Sequence, residues 1–499
     1  MSATQSTTAS AATAPDPARW KGWIPVIGLE VHCQLRTRTK LFCGCEYRFG
    51  AEPNTRTCAV CTAQPGALPV LNREALAYAI RAGLALGADI APWSKFDRKN
   101  YFYCDLPKGY QISQFDRPFC TGGGITLESG HRIRLTRIHL EEDAGKAIHD
   151  RGAHTLVDLN RAGVPLIESV TEADVRSPEE AHEYLERLKE ILLHAGVSDC
   201  DMEKGSLRVD VNVSIHRPGE GWRKRVELKN LNSFRNVAAA IEHEIARQIA
   251  IYESNDPSQQ VVQETRLYDA QAGVTRSMRG KEEAHDYRYF PEPDLLPVQI
   301  DAAFLAEQRE KLGESPTALR ERYQRELGLS AYDAGVLTAS PAVSRWFEEC
   351  AKLCGSPKDA ANWIQNEILR GLSNEQRPAA AIAELRVTPA GLAQLIGLVQ
   401  KGTLNVPGGR QVLRAMLETG KDAAVLVREL GLEQVSDTGA LEQWCREALV
   451  GKDKVIADVK AGKEKAIGAL VGPVMKASKG AANPQVVTEI LLRLVRELP

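Results

Sequence analysis

Residues 26–35 read VIGLEVHCQL, and their strict alternation restricts this stretch to a β-strand with two unlike faces. Successive side chains of a strand point to opposite sides, so Leu29 and Val31 share an apolar face. Glu30 and His32 share the opposite face, which therefore carries a carboxylate and an imidazole side by side. On its own, this pattern fits a solvated surface equally well.

The same alternation returns in residues 206–215 (SLRVDVNVSI) and 225–229 (RVELK). Their polar positions include Arg208, Asp210, Glu227 and Lys229. Three strands with apolar backs and charged fronts predict one antiparallel sheet with a functional polar face. Acids, arginine, lysine and histidine gathered on one wall suit a metal ion and phosphate groups.

Two further acids follow apolar positions in predicted strands. In residues 134–146, Glu142 falls on the face of Ile138 and Leu140, whereas Glu141 shares the other face with His139. In the same way, Glu168 lies on one strand face between Leu166 and Val170. A buried acid needs a cation or a proton, and the alternative is a salt bridge to a nearby arginine. The predicted magnesium ligands are Glu30, His32, Glu142 and Glu168.

Cysteines form two close pairs in the loop-like region at residues 40–69. The four are Cys43, Cys45, Cys58 and Cys61, with twelve residues between the pairs. Two such pairs separated by a short loop are typical of a structural zinc site with four thiolates. The alternative is a set of unconnected small core residues. The chain has 11 cysteines, an odd number spread over its length, which favours reduced thiols over a disulfide scaffold.

Helix signals divide the remaining chain. Residues 72–86 and 232–252 are predicted helices. A third predicted helix begins at Ser177 with a capping box and ends at Gly196. From residue 302 onwards strand patterns give way to helical periodicity. The 499 residues allow about three domains. The predicted divisions are a disordered extension at 1–20, a catalytic domain at 21–298, a helical domain at 299–408 and a tail domain at 409–499.

The low net charge and the absence of certain sequence motifs exclude some classes of function. A formal net charge of −2 excludes a uniformly basic nucleic-acid coat, although the lysines of residues 452–479 could form a local patch or only a solubilising face. No apolar run reaches the length of a membrane span. The chain has no phosphate-binding G-x-x-x-x-G-K-[ST] motif, so a nucleotide must be held on the sheet by metal and side chains.

Several long motifs resemble one known family. They are GLEVH at 28–32, FGAEPN at 49–54, QPGALPVLN at 64–72, KFDRKNYFYCDLPKGYQISQFD at 95–116, HLEEDAGK at 139–146, LVDLNRAGVPLIE at 156–168, RVDVNVS at 208–214, ELKNLNSF at 227–234, DYRYFPEPDL at 286–295 and KASKGAANP at 476–484. The chain thereby resembles the B subunit of the tRNA-dependent amidotransferase that makes glutaminyl-tRNA and asparaginyl-tRNA.

The resemblance implies an α+β chain. Its antiparallel-sheet catalytic domain would be similar to glutamine synthetase, followed by an all-α helical domain and a small helical tail domain that touches tRNA. The family's reaction uses ATP to phosphorylate the glutamyl or aspartyl group on mischarged tRNA, and ammonia then displaces the phosphate. The ammonia comes from an amidase A subunit, and a small C subunit completes a cytoplasmic heterotrimer.

The resemblance also implies roles for individual residues. Glu142, Lys229 and Asp210 would be catalytic, and Lys108, Arg208 and Glu227 would contact the nucleotide. Glu30, His32, Glu142 and Glu168 would hold Mg²⁺, and the four cysteines would hold a structural Zn²⁺.

Two other functions remain open on the residues alone. One is a zinc-stabilised tRNA-binding protein without catalytic activity, whose polar strands form a docking face. The other is a metal-dependent phosphoesterase that uses the same acids. ATP consumption that depends on both aminoacylated tRNA and Mg²⁺ distinguishes the three.

Overall fold

A computed structural model describes residues 19–149, 152–254, 256, 258–280, 287–432, 438–461, 464–478, 482 and 484–498. Most of the predicted N-terminal extension, residues 1–18, lies outside the described residues. The chain divides into two compact units, Met1–Pro316 and Thr317–Pro499. In the described part of the chain, no helix is both long enough and apolar enough to cross a membrane.

The first unit is built on β-strands. In chain order the strands of the described residues are β1 Ile24–Gln34, β2 Asp89–Ile90, β3 Trp93–Ser94, β4 Asp97–Asn100, β5 Tyr110–Ser113, β6 Cys120–Thr121, β7 Gly124–Thr126, β8 Arg132–Glu142, β9 Lys146–Ile148, β10 Leu156–Asp158, β11 Pro165–Thr171, β12 Leu207–His216, β13 Val226–Lys229, β14 Glu264–Asp269, β15 Val274–Gly280, β16 Phe290–Pro291 and β17 Val298–Gln299.

One large sheet has the order β15-β14-β13-β12-β1-β11-β8-β6-β2, with β7 also paired to β8. The three strands predicted to share one antiparallel sheet, β1, β12 and β13, are confirmed as antiparallel members of this sheet. The sheet is not purely antiparallel, however, because β13 and β14 run parallel. Two strands can be parallel only when a long connection returns the chain to the same end, and helix Phe234–Glu253 lies in that connection.

Helices of the first unit cover the apolar face of the sheet. They are α1 Arg73–Ala85, α2 Pro178–His194, α3 Phe234–Glu253 and α4 Ala302–Glu310. Leu185 of α2 and Ile241 of α3 pack in one hydrophobic core with Leu29 of β1 and Val211 of β12. The three helices predicted from capping and periodicity, α1 to α3, are confirmed. Because these helices pack on the apolar face, they leave the polar face of the sheet uncovered, and substrates could bind there.

Helices make up almost all of the regular secondary structure among the described residues of the second unit, as its helical periodicity predicted. Its α-helices are α5 Pro316–Leu327, α6 Ala331–Thr338, α7 Pro341–Cys354, α8 Pro357–Trp363, α9 Arg370–Asn374, α10 Pro389–Gln400, α11 Val406–Thr419, α12 Ala423–Glu429, α13 Thr438–Leu449, α14 Asp453–Lys460, α15 Gly468–Ala477 and α16 Pro484–Glu497. Ile364–Leu369 forms a π-helix, and Ala379–Glu384 and Glu464–Ile467 form 3₁₀ turns.

The hydrophobic clusters of the described residues do not end where the domain boundaries are predicted. One cluster runs from Leu319 to Val427 and therefore passes through residues 408 and 409, where a boundary was expected. A separate cluster runs from Leu441 to Val495. Phe304 of α4 packs with the core of the first unit, beyond the boundary expected at residue 298. The exact divisions of the chain stay predictions.

Candidate functional site

Strand register brings polar side chains from several strands onto one face. His32 of β1 lies opposite Glu168 of β11, and Glu168 lies opposite His139 of β8. On the other side of β1, Glu30 lies opposite Asp210 of β12. Directly opposed residues of an antiparallel pair project to the same side of the sheet. The predicted polar face is therefore present, and it extends to β8.

Three side chains converge at the centre of this face. His32, Glu141 and Glu168 each offer one ligand atom, and these atoms all lie within 4.8 Å of one another. His32 Nε2 is 3.2 Å from Glu168 Oε2 and 3.8 Å from Glu141 Oε1. Two carboxylates and an imidazole at this spacing can hold a divalent cation. His139 stands behind the two acids, with its Nε2 3.3 Å from Glu141 Oε2.

The charges at this centre support a cation site. Burial opposes protonation of His32, but the carboxylates of Glu168, Glu141 and Asp210 together outweigh it and raise the pKa of His32 to about 9. Burial also works against the charge on Glu168, yet His139 and His32 hold its pKa well below the usual 4.5. Two buried carboxylates therefore stay ionised because positive charge lies beside them. A metal ion would replace the proton on His32 in that role.

Glu142 is not part of this group, contrary to the prediction. Its Oε1 accepts a hydrogen bond of 3.0 Å from the backbone N–H of Ile112 and is also paired with Lys108. Alternation along β8 explains the difference, because Glu141 follows His139 onto the polar face and Glu142 follows Leu140 onto the opposite one. The structure thus brings Glu141, rather than Glu142, to His32 and Glu168.

A second acidic group lies beside the first. Glu30 Oε1 accepts a hydrogen bond of 3.0 Å from Asn212 Nδ2, and Lys229 pairs with both Asp210 and Glu227. Burial, and then the charges of Glu168 and Asp210, raise the pKa of Glu30. An acid whose pKa is raised by neighbouring acids marks a place where one more cation would be favourable. Four of the residues predicted for catalysis or binding are therefore brought together here.

Two of the predicted nucleotide contacts, Arg208 and Lys108, are paired with acids of the protein. The Arg208 guanidinium donates hydrogen bonds of 2.9 and 3.0 Å to the two carboxylate oxygens of Asp143. Burial opposes the charge on Asp143, but Arg208, Arg161 and a hydrogen bond from Gln34 together outweigh it and lower the carboxyl pKa. Lys108 pairs with Glu142 in a cavity of about 240 Å³, away from the Glu30 group. Both cations therefore have protein anions as partners.

A large cavity opens next to Glu30. Its volume is about 1000 Å³. Lining residues include Gly28, Glu30, Asn212, Trp222, Arg223, Lys224, Arg225 and Tyr252. Gly28 has open space where a Cβ would stand, so the floor of the cavity lies close to the backbone of β1. An aromatic ring, a run of cations and an acidic floor are features that can hold a planar base and a polyphosphate.

The four predicted cysteine ligands also come together. The Sγ atoms of Cys43, Cys45, Cys58 and Cys61 lie within 4.8 Å of one another. A hydrogen bond from the Cys43 thiol outweighs burial and lowers the pKa of Cys61 to about 4. Four sulfurs at this spacing fit a tetrahedral zinc site. The donor set leaves no open coordination position, which fits a structural ion.

Sequence reasoning missed one residue of the central group, Glu141, and one of its neighbours, Lys99. Glu141 was assigned to the polar face, but its partnership with Glu168 depends on β11 lying next to β8, which alternation does not reveal. Lys99 lies over the ring of Tyr287 at 4.9 Å. Burial acts against its charge, but Glu141 and the other acidic groups around it, Glu168 among them, together outweigh burial and raise the pKa of Lys99. The residue pattern around Lys99, within the motif at 95–116, does not indicate that this lysine lies near Glu141.

Two protein-family models match most of the chain. The sequence model described as the GatB/GatE catalytic domain matches residues 25–306, and the one described as the GatB domain matches residues 345–495.

Three relatives are named as the B subunit of aspartyl/glutamyl-tRNA(Asn/Gln) amidotransferase. The protein of Caldicellulosiruptor saccharolyticus is 52% identical over 471 residues, covering 93% of this chain and 98% of its own. That of Geotalea daltonii is 52% identical over 476 residues, with coverages of 94% and 98%. That of Myxococcus xanthus is 50% identical over 472 residues, with coverages of 94% and 97%.

Proposed function

The chain belongs to the family of aspartyl/glutamyl-tRNA(Asn/Gln) amidotransferase B subunits, and on that premise we propose that its polar sheet face activates a carboxylate carried by tRNA. The proposed substrate is glutamyl-tRNA(Gln), aspartyl-tRNA(Asn) or both. A side-chain carboxylate oxygen of the aminoacyl group attacks the γ-phosphorus of ATP, and the bond to ADP breaks. Ammonia then attacks the acyl carbon, and phosphate leaves.

The convergence of His32, Glu141 and Glu168 is the observation that carries this proposal. A magnesium ion held there would reduce the repulsion between the attacking carboxylate and the triphosphate. Ser113 Oγ donates a hydrogen bond of 3.0 Å to Glu141 Oε2, which fixes the orientation of that acid. His139 lies beside both acids, with its Nε2 3.3 Å from Glu141 Oε2 and 3.6 Å from Glu168 Oε2. These contacts preorganise the site before substrates arrive.

The neighbouring acidic group and cavity are the proposed nucleotide site. Glu30, Asp210 and Glu227 would hold a second cation on the phosphates, and Lys229 would neutralise a phosphate oxygen. The adenosine would lie in the cavity of about 1000 Å³, where Trp222 is exposed and cations line the wall. Glu142 keeps its proposed catalytic role and Lys108 its proposed nucleotide contact, at the separate cavity they share, while Arg208 is assigned a structural role through Asp143.

The remaining parts of the reaction need partners. The proposed ammonia source is an amidase A subunit, joined with a small C subunit in a heterotrimer. The cysteine cluster is proposed to hold Zn²⁺ with a structural role, and residues 409–499 are proposed to contact the tRNA. Charged tRNA is made in the cytoplasm, so we place the reaction there.

The decisive experiment measures ADP formation by the complex of this chain with its amidase and C subunits. ADP should form only when aminoacylated tRNA and Mg²⁺ are both present, and hydroxylamine should trap the activated carboxylate as a hydroxamate. ADP formation at the same rate with uncharged tRNA would contradict the proposal. Release of phosphate from other substrates without ATP would favour a phosphoesterase instead, and tRNA binding without ADP would indicate a protein that only binds.

A further inference from the structure

A lysine is buried beside the cysteine cluster. Lys40 is 0% exposed, and its side chain is among the largest fully buried ones of the described residues. Transferring an ammonium group from water to the protein interior is costly unless an anion and hydrogen-bond acceptors receive it. A fully buried lysine therefore has to be explained by its partners.

The partners of Lys40 are a sulfur and a carbonyl oxygen. Its Nζ lies 3.4 Å from Cys61 Sγ and 3.2 Å from the carbonyl oxygen of Leu159. Within the described residues, no carboxylate forms an ion pair with Lys40. The anion that compensates its charge is then the sulfur of Cys61, and a thiolate is also the form of cysteine that binds a metal.

Lys40 also connects the cluster to the strand that carries Glu168. Its backbone N–H donates to the carbonyl oxygen of Cys45, and the next residue, Leu41, donates to that of Gly163 at 2.8 Å. A Cβ added at Gly163 would stand 3.6 Å from both Lys40 Cδ and Cys61 Cβ, so the three residues pack closely. Strand β11 begins two residues later.

We propose that Lys40 is the outer-sphere cation of the cysteine cluster, donating a hydrogen bond to the metal-bound Cys61 sulfur and joining the cluster to the turn before β11. This inference rests on the proposed zinc site. A zinc ion with four thiolates carries excess negative charge, which Lys40 offsets in the interior. Groups that hydrogen-bond to metal ligands orient them, and their loss typically lowers metal affinity by about 10- to 100-fold.

Zinc release tests the role of Lys40. Wild-type protein and the variants Lys40→Met, Lys40→Arg and Lys108→Met are purified as the complex, and zinc per chain is measured by mass spectrometry. Release into a chromogenic chelator is then followed during alkylation of the thiols. We expect Lys40→Met to release zinc about tenfold faster and Lys40→Arg to restore most of the wild-type rate. Lys108→Met is the control, because Lys108 lines the adjoining cavity but pairs with Glu142, and its rate should stay within about twofold of wild type.

Two failures are distinguishable. If the wild type holds zinc and Lys40→Met releases it at the wild-type rate, the inference about Lys40 is wrong while the zinc site stands. If the wild type binds no zinc, the zinc site itself is wrong. Should Lys40→Met fail to fold, Lys40→Gln, which removes the positive charge but keeps a polar side chain, is compared with the wild type in the cobalt-loaded form. The thiolate-to-cobalt absorption band should shift with the changed donor, and an identical band would overturn the inference.

Discussion

At the scale of single residues, Glu141 and Glu142 are adjacent in sequence but have different surroundings. Glu141 contacts the two histidines of the central group, whereas Glu142 pairs with Lys108 and the backbone of β5. Alternation alone places them on opposite faces, but which face carries the metal ligands depends on neighbours from distant parts of the chain. The sequence therefore predicts that an acid of this pair is functional and cannot decide which one.

The buried pair of Asp143 and Arg208 is a residue-scale feature that the sequence did not reveal. The Asp143 side chain is almost fully buried, while about a third of the Arg208 side chain is exposed. Asp143→Asn would leave a guanidinium without its anion, and we expect a loss of roughly 3 kcal/mol in the free energy of unfolding at neutral pH. Urea denaturation followed by fluorescence measures it.

The same pair has a predictable dependence on pH. Arg208 lowers the pKa of Asp143 in the folded chain, so the stabilisation is fully present above the ordinary value of 3.8 and is lost as the pH falls through the folded value. The difference between wild type and Asp143→Asn should therefore shrink in acid. Asp174→Asn is the control, because its partner Arg134 is largely exposed to solvent, and its loss should be clearly smaller than that of Asp143→Asn. Equal losses in the two variants would contradict the assignment.

At the scale of elements, local signals in the sequence located helices well. Ser177 Oγ accepts a hydrogen bond of 3.1 Å from the backbone N–H of Glu180, and Glu180 accepts one of 2.8 Å from the backbone N–H of Arg176. These contacts are close in sequence, so residue order alone was sufficient to predict the start of α2. Sheet pairing is different, because alternation shows which faces match but not which strands are neighbours.

The cap of α2 provides an element-scale prediction. Ser177→Ala should cost about 1 kcal/mol of local stability, because the N–H of Glu180 loses its acceptor. Amide hydrogen exchange in the first turn of α2 should accelerate about fivefold, as that energy implies. Ser340→Ala is the matched control, since Ser340 begins α7 without a side-chain cap and its first turn should change little. Equal acceleration in both helices would show that the cap of α2 contributes nothing specific.

At the scale of the whole molecule, the candidate site is assembled from segments that are far apart in sequence. His32, Glu141 and Glu168 come from β1, β8 and β11, and β11 lies between the other two in the sheet. Composition predicted the change from strands to helices near residue 302, because hydrophobic periodicity is a property of each segment. It did not predict where cores end, since the cluster from Leu319 to Val427 depends on how helices pack.

Binding of Mn²⁺, as a spectroscopic substitute for Mg²⁺, to Glu141→Gln and Glu142→Gln complexes tests the central claim most directly. Electron paramagnetic resonance titration gives the affinity of each. The geometry predicts that Glu141→Gln weakens the tight site by about 10- to 100-fold, while Glu142→Gln leaves it within about threefold of wild type. Loss of the tight site in Glu142→Gln, with Glu141→Gln unaffected, would contradict a metal centre on His32, Glu141 and Glu168.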